Sequence, residues 1–215
     1  MALLLLTGCH KKPSFTDSDK VNQNKIFQFY KASYDAESGK MNVTVMFRVD
    51  HRSGEKLHLS DPSKVTVNGQ VMEINEQGDY TCSIGKYLKV LPFEYTNNDN
   101  QQFKNSITTN TIAFNQENIT LSKTNTTRVK IKADPFEDSE SVSCTFTKDN
   151  ETVEIDLNFA NGWITVTPDE LEPLQTGEYT ARLVRKNYSS QLQALDRGGE
   201  WESQYVSPSK KITIQ

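Results

Sequence analysis

Three groups of side chains in this sequence have types and spacings that bear on chemistry. His51 and His58 flank the turn-like Arg52-Ser53-Gly54-Glu55, with Asp50 and Asp61 close by. Imidazoles beside carboxylates are the material of a metal site or an acid–base pair. In a polar connection such residues are more often solvated, and that reading is adopted. Asp134, Glu137, Asp138 and Glu140 crowd carboxylates into one short run, Asp134-Pro135-Phe136-Glu137-Asp138-Ser139-Glu140. Calcium requires such hard oxygen ligands. The run lacks the glycine and fixed ligand positions of a known calcium loop, so it reads as a solvated turn and a weak calcium candidate. The third group is aromatic. Trp163 opens an apolar strand and is assigned to the core, whereas Trp201 follows Gly198-Gly199 in a polar setting. Trp201, Tyr205 and Tyr188 are therefore the expected ligand contacts, because flat ring faces stack on sugars and partner surfaces.

Catalytic signatures are missing. The sequence has no Gly-x-Ser-x-Gly elbow, no Gly-x-x-x-x-Gly-Lys phosphate loop and no His-Glu-x-x-His zinc motif. No catalytic residue, metal or cofactor is expected. A net charge of −4 lacks the electrostatic footprint of nucleic-acid binding. No apolar stretch approaches the ~20 residues of a membrane span. Cys82 and Cys144 lie in strand-like apolar runs, in different halves of the chain, and read as separately buried thiols.

The elements that must position these residues are strands. Val43, Val45, Phe47 and Val49 alternate with Asn42, Thr44, Met46, Arg48 and Asp50, the period of a half-buried strand. Ile26–Tyr34 is its expected hairpin partner. Asn68-Gly69 between Val65-Thr66-Val67 and Gln70–Ile74 signals a type I′ turn. Further runs lie at 80–84, 87–95, 102–106 and 111–114. After a pause near 115–118, alternation resumes in Thr127-Val129-Ile131-Ala133, Val142-Cys144-Phe146 and Val153-Ile155-Leu157-Phe159. Asn161-Gly162 then turns into Trp163–Val166, and Lys211–Ile214 closes the set. Short strands recurring every 8 to 12 residues indicate antiparallel sandwiches.

Leu6-Thr7-Gly8-Cys9, preceded by Ala2-Leu3-Leu4-Leu5, resembles a bacterial lipobox. The resemblance implies a leader remnant at residues 1–8, acylation of Cys9, and a lipid bilayer as the first partner. His10, where an aspartate would favour inner-membrane retention, implies the outer membrane. Residues 10–25 are polar, so 9–25 is expected to be the lipidated cysteine and a disordered tether.

Leu174-Gln175-Thr176-Gly177-Glu178-Tyr179-Thr180-Ala181-Arg182-Leu183 resembles the tyrosine corner of immunoglobulin-like domains, in which a tyrosine opening a late strand bonds back to upstream backbone. Ala181 stands where antibody domains have their second cysteine, so no inter-sheet disulfide is implied. The sequence thus predicts an all-β chain of two tandem immunoglobulin-like sandwiches, 26–116 and 117–215. The leading functional reading is a non-enzymatic cell-envelope lipoprotein binding or scaffolding a protein or glycan. A carbohydrate-binding or adhesion module is the alternative, and an envelope hydrolase comes third.

Overall fold

The computed structural model describes residues 15–215, so the lipobox and Cys9 lie outside the described residues. The first half forms Thr16–Asp17 (β1), Ile26–Asp35 (β2), Lys40–Val49 (β3), Leu57–His58 (β4), Lys64–Val67 (β5), Gln70–Val71 (β6), Glu73–Ile74 (β7), Tyr80–Ile84 (β8), Val90–Thr96 (β9) and Gln102–Thr108 (β10). The second forms Ile112–Phe114 (β11), Thr120–Leu121 (β12), Thr127–Ala133 (β13), Glu140–Lys148 (β14), Glu151–Asp156 (β15), Asn158–Ala160 (β16), Trp163–Val166 (β17), Gly177–Ser189 (β18), Gly199–Val206 (β19) and Lys210–Ile214 (β20).

Both halves repeat one strand order. The first sandwich sets β2-β3-β8-β7 against β10-β9-β5-β6. In the second, β11-β13-β17-β16 faces β15-β14-β18-β20, with β12 running parallel beside β20. This is the immunoglobulin-like arrangement, so the fold class expected from the sequence is the fold found.

The alternation explains the cores. Val43, Val45 and Phe47 point inward and are essentially unexposed, joined by Tyr30, Phe93 and Tyr95. Val129, Ile131, Val142, Cys144 and Phe146 do the same in the second sandwich. Asn68-Gly69 and Asn161-Gly162 take φ of 49° and 78°, and of 51° and 78°. Those left-handed values are what a type I′ turn demands, and Asn-Gly supplies them at little steric cost. Burial pushes the thiol pKa of both Cys82 and Cys144 upward, and the two remain free.

Two expected strands are interrupted at equivalent points. Gln70–Ile74 breaks at buried Met72, and Val153–Phe159 breaks at buried Leu157. Their amides donate to Val65 and Val142 respectively, after which the chain crosses to the opposite sheet. Such a crossing keeps the in–out alternation of side chains and changes only the backbone partner, so hydropathy does not reveal it.

Tyr179 forms the corner that its neighbourhood resembles. Its ring is 6% exposed, and its hydroxyl both accepts from the Gln175 amide and donates to the Gln175 carbonyl, each at 3.0 Å. Gly177, at φ 132°, permits the bend.

Two expected boundaries are corrected. Ile112–Phe114, assigned to the first sandwich, pairs with β13, and Ile112 is fully buried in the second core. The passage between sandwiches therefore runs through Thr109–Thr111. The expected tether also ends earlier, because from Thr16 onward the chain is docked. β1 pairs with β4, the Ser18 hydroxyl donates to Asn98 Oδ1 at 2.7 Å, and Gln23 Nε2 donates to the Ser18 carbonyl at 2.8 Å. Polar composition concealed this docking, since side-chain and backbone hydrogen bonds hold much of the segment, with Val21 packed against the first core.

The sandwiches are joined by more than a linker. β18 continues past its own sandwich: residues 177–181 pair with β20, and 184–189 pair with β19. β19 then runs parallel to β2 over all of Gly199–Val206 against Gln28–Asp35. The result is one sheet running β12-β20-β18-β19-β2-β3-β8-β7 through both halves.

Candidate functional site

The junction strand β19 has two faces with opposite characters. Its inner residues, Trp201 and Tyr205, face the cores. Trp201 packs against the first core together with Leu192 and Leu195 from the β18–β19 loop. Tyr205 packs against the second core and lies with its ring centroid 5.5 Å from Tyr34 and 5.8 Å from Tyr87. Those two tyrosines belong to the first sandwich. The tyrosine cluster thus bridges the two cores.

The paired glycines serve this strand. Gly198 takes φ 66°, and a Cβ at Gly199 would stand 2.5 Å from the Gln28 carbonyl oxygen and 2.7 Å from Leu192 Cδ1. They allow β19 to approach β2 and do not present Trp201 to solvent. The expectation that Trp201, Tyr205 and Tyr188 form one contact surface is therefore corrected: two point inward, and Tyr188 alone, 42% exposed, lies on the outer face. The signal that finds this is the alternation of Trp201 and Tyr205 with Glu200, Glu202 and Gln204, a period-2 pattern like that of β3.

Polar contacts reinforce the junction unequally. Arg182 grips Asp35 with both terminal nitrogens, at 3.1 and 2.7 Å, and its Nε donates to the Ser207 carbonyl. The Arg182 contact, opposed by slight burial and aided by the Ser38 and Glu37 amides, holds the Asp35 carboxyl below its usual range. Arg52 lies over the Phe29 ring at 4.0 Å and reaches Glu200. Arg197 reaches Asp50, and Gln193 accepts from the Lys104 amide and exchanges hydrogen bonds with Asn105 of β10. Exposed ion pairs contribute only about 0–1 kcal/mol each. Burial of large apolar side chains, at ~1.5–3 kcal/mol each when complete, decides the stability of the junction. The ion pairs set its register.

The acidic run of the second sandwich is turned to protein partners. Arg185, 2% exposed, directs Nε to Glu140 Oε1 at 3.0 Å, Nη1 to the Thr111 and Asp134 carbonyls, and Nη2 to Glu140 Oε2 and the Pro135 carbonyl. All five guanidinium donors are used. The guanidinium also stacks on Phe136 at 4.0 Å. Burial alone would raise the Glu140 carboxyl, yet Arg185, Asn110 and the Glu137 amide hold it below the usual carboxylate value. Asp134 accepts from the Thr111 amide and hydroxyl and from Lys89, and the Thr111 amide chiefly lowers its pKa. The weak calcium reading of Asp134, Glu137, Asp138 and Glu140 is corrected accordingly, because Glu140 spends its oxygens on Arg185, Asn110 and the Glu137 amide and Asp134 spends its own on Thr111 and Lys89, so the four carboxylates do not converge on a common cation. Sequence reading missed Arg185, which the alternation of Tyr179, Ala181 and Leu183 places on the inward face of β18.

His51 and His58 do not converge. His51 Nδ1 accepts from the Ser53 amide, while His58 Nδ1 lies 3.3 Å from Asp17. Among the described residues, no three histidines, cysteines or carboxylates are grouped to hold a metal ion.

What remains is the outer face of the junction. A shallow groove of about 380 Å³ crosses β14, β18, β19 and β2. Tyr188 forms one wall, with Glu202 and Lys31 in the same cross-strand row, and Ser141, Lys186 and Gln204 in the next. Lys31 pairs with Glu202 at 2.8 Å and Lys186 with Glu154 at 2.9 Å.

No family profile and no curated protein matches this chain. Among solved structures it is similar to the I9–I11 tandem of titin, at 10% identity and TM-score 0.27, covering 87% of this chain and 65% of the titin chain. It is also similar to the fibronectin(III)-like modules of Clostridium thermocellum CbhA, at 10% identity and TM-score 0.23, covering 85% of this chain and 87% of that one. The chain spans less than two thirds of the titin chain's length.

Proposed function

We propose that this chain is a non-enzymatic cell-envelope lipoprotein, acylated at Cys9, whose body is a rigid two-sandwich module that binds or scaffolds an envelope partner. The observation that carries the reading is the pairing of β19 with β2, which makes a single sheet of two sandwiches. A continuous ladder backed by a shared tyrosine cluster resists hinge motion, so loops and groove keep fixed relative positions. A scaffold or recognition module needs that property. The anchor rests on the resemblance of Leu6-Thr7-Gly8-Cys9 to a lipobox. On this reading only the short stretch of sequence before Thr16 separates Cys9 from the docked body, which would hold the first sandwich near the bilayer.

The test is metabolic labelling with palmitate in a Gram-negative host, with a full-length leader. The native chain should label and partition into detergent, and Cys9→Ser should do neither. Equal labelling of the two would reject the anchor. The alternative of a glycan-binding module is favoured by the groove beside Tyr188.

A further inference from the structure

We infer that the groove on the outer face of the junction is a binding site for a neutral oligosaccharide; the inference deepens the reading of the chain as a rigid binding module and rests on it. The lysines of the groove are already paired, Lys31 with Glu202 inside it and Lys186 with Glu154 beside it. A polyanion or polycation would meet a like charge beside every opposite one, whereas a neutral polar ligand meets no such conflict. Among the described residues, Gln204 and Ser141 have no side-chain hydrogen-bond partner, and the strand pairing sets them in one row with Lys186 between them. An amide and a hydroxyl in a row offer both donors and acceptors to a chain of sugar hydroxyls.

Tyr188 supplies the remaining element. It is the one aromatic among the strongly exposed large side chains of the described residues, and its ring stands in the row beside the polar one. The C–H face of a pyranose is apolar and flat, matching an exposed ring that has no protein partner on its free side. The groove's volume lies within the ~300–1,000 Å³ of small-ligand sites. Its floor is laid by strands of both sandwiches, so the site exists only in the joined molecule.

The experiment is calorimetric titration of the full chain with cellotetraose, chitotetraose, tetragalacturonate and a Ser/Gln-rich octapeptide. One of the neutral tetrasaccharides should bind. Tyr188→Ala should weaken it by about tenfold or more, Gln204→Ala by about threefold or more, and Tyr188→Phe by less than about threefold, since the ring face and not the hydroxyl is used. Tyr188 is exposed, so these variants should keep the parent's melting temperature. Binding of tetragalacturonate or the peptide in place of the neutral sugars would overturn the inference, as would absence of any binding or indifference to Tyr188→Ala. A small-angle scattering profile recorded on the same sample separates the two readings. A rigid body that binds no sugar overturns this inference alone, whereas a flexing pair of sandwiches overturns the rigid module beneath it.

Discussion

The core of the second sandwich, from Ile112 to Ile214, is drawn entirely from its own half of the chain, and so are the partly buried side chains packed on it. The first sandwich is built differently. Around Ile26, Tyr30, Val45 and Phe93 it gathers Leu192, Leu195 and Trp201, which come from the far end of the second half of the chain. Its edge strand β2 finds its outer partner in β19. The comparison teaches that dependence runs one way: the second sandwich closes by itself, and the first is completed by a hairpin lent from the second.

The sharpest way to break this comparison is to separate the halves. A fragment of residues 15–110 should fail to unfold cooperatively, because it exposes the edge of β2 and the apolar surface that Trp201, Leu192 and Leu195 cover. Residues 109–215 should melt cooperatively, with only the β18–β19 extension losing structure. Circular dichroism melts of the two fragments decide it. A first-half fragment as stable as the whole would end the claim of dependence.

Within the second sandwich the buried ion pair carries the next largest effect. Arg185→Leu leaves Glu140 and three carbonyl groups without their donor, and should cost about 3–5 kcal/mol. Adding Glu140→Leu should recover part of that loss in urea melts. Acid should act through the same group. The Glu140 carboxyl titrates below the ordinary glutamate value of 4.5 when folded, so its contribution is complete at neutral pH. It is lost as pH falls through 4.5 and on past the depressed folded value. The acid slope of stability should therefore be shallower in the Arg185→Leu/Glu140→Leu double variant.

Tyr179→Phe removes one hydroxyl that serves both groups of Gln175 and should cost about 1–3 kcal/mol. A loss under about 0.5 kcal/mol would make the corner ornamental. Gly199→Ala sharpens the comparison from the junction side. Its Cβ meets the backbone carbonyl of Gln28 as well as the end of the Leu192 side chain, and an overpacked contact against backbone costs about 1–3 kcal/mol. The loss should appear in the first sandwich, as faster hydrogen exchange in β2, although the substituted residue lies in the second half.

Much of this architecture was legible in the sequence. Alternation located Lys40–Val49, Thr127–Ala133 and Trp163–Val166, Asn-Gly fixed two turns, and the surroundings of Tyr179 pointed to the corner. These are local signals with local causes. The unread parts depend on partners distant in sequence. Nothing near Arg185 shows that Glu140 awaits it, and nothing near Trp201 shows that β2 lies beside it. The crossings at Met72 and Leu157 were hidden because alternation persists through a change of sheet. The candidate groove was legible only as Tyr188, since its other walls come from four separate strands.

Native-state hydrogen exchange of the β19 amides that face β2 reads out whether the two sandwiches share one sheet. If the two sandwiches form one continuous sheet, these amides in Gly199–Val206 exchange as slowly as those between β2 and β3, and only through global unfolding. Exchange at the rate of an open edge strand, with the β2–β3 amides still protected, would show that the sandwiches are not joined and would contradict the account.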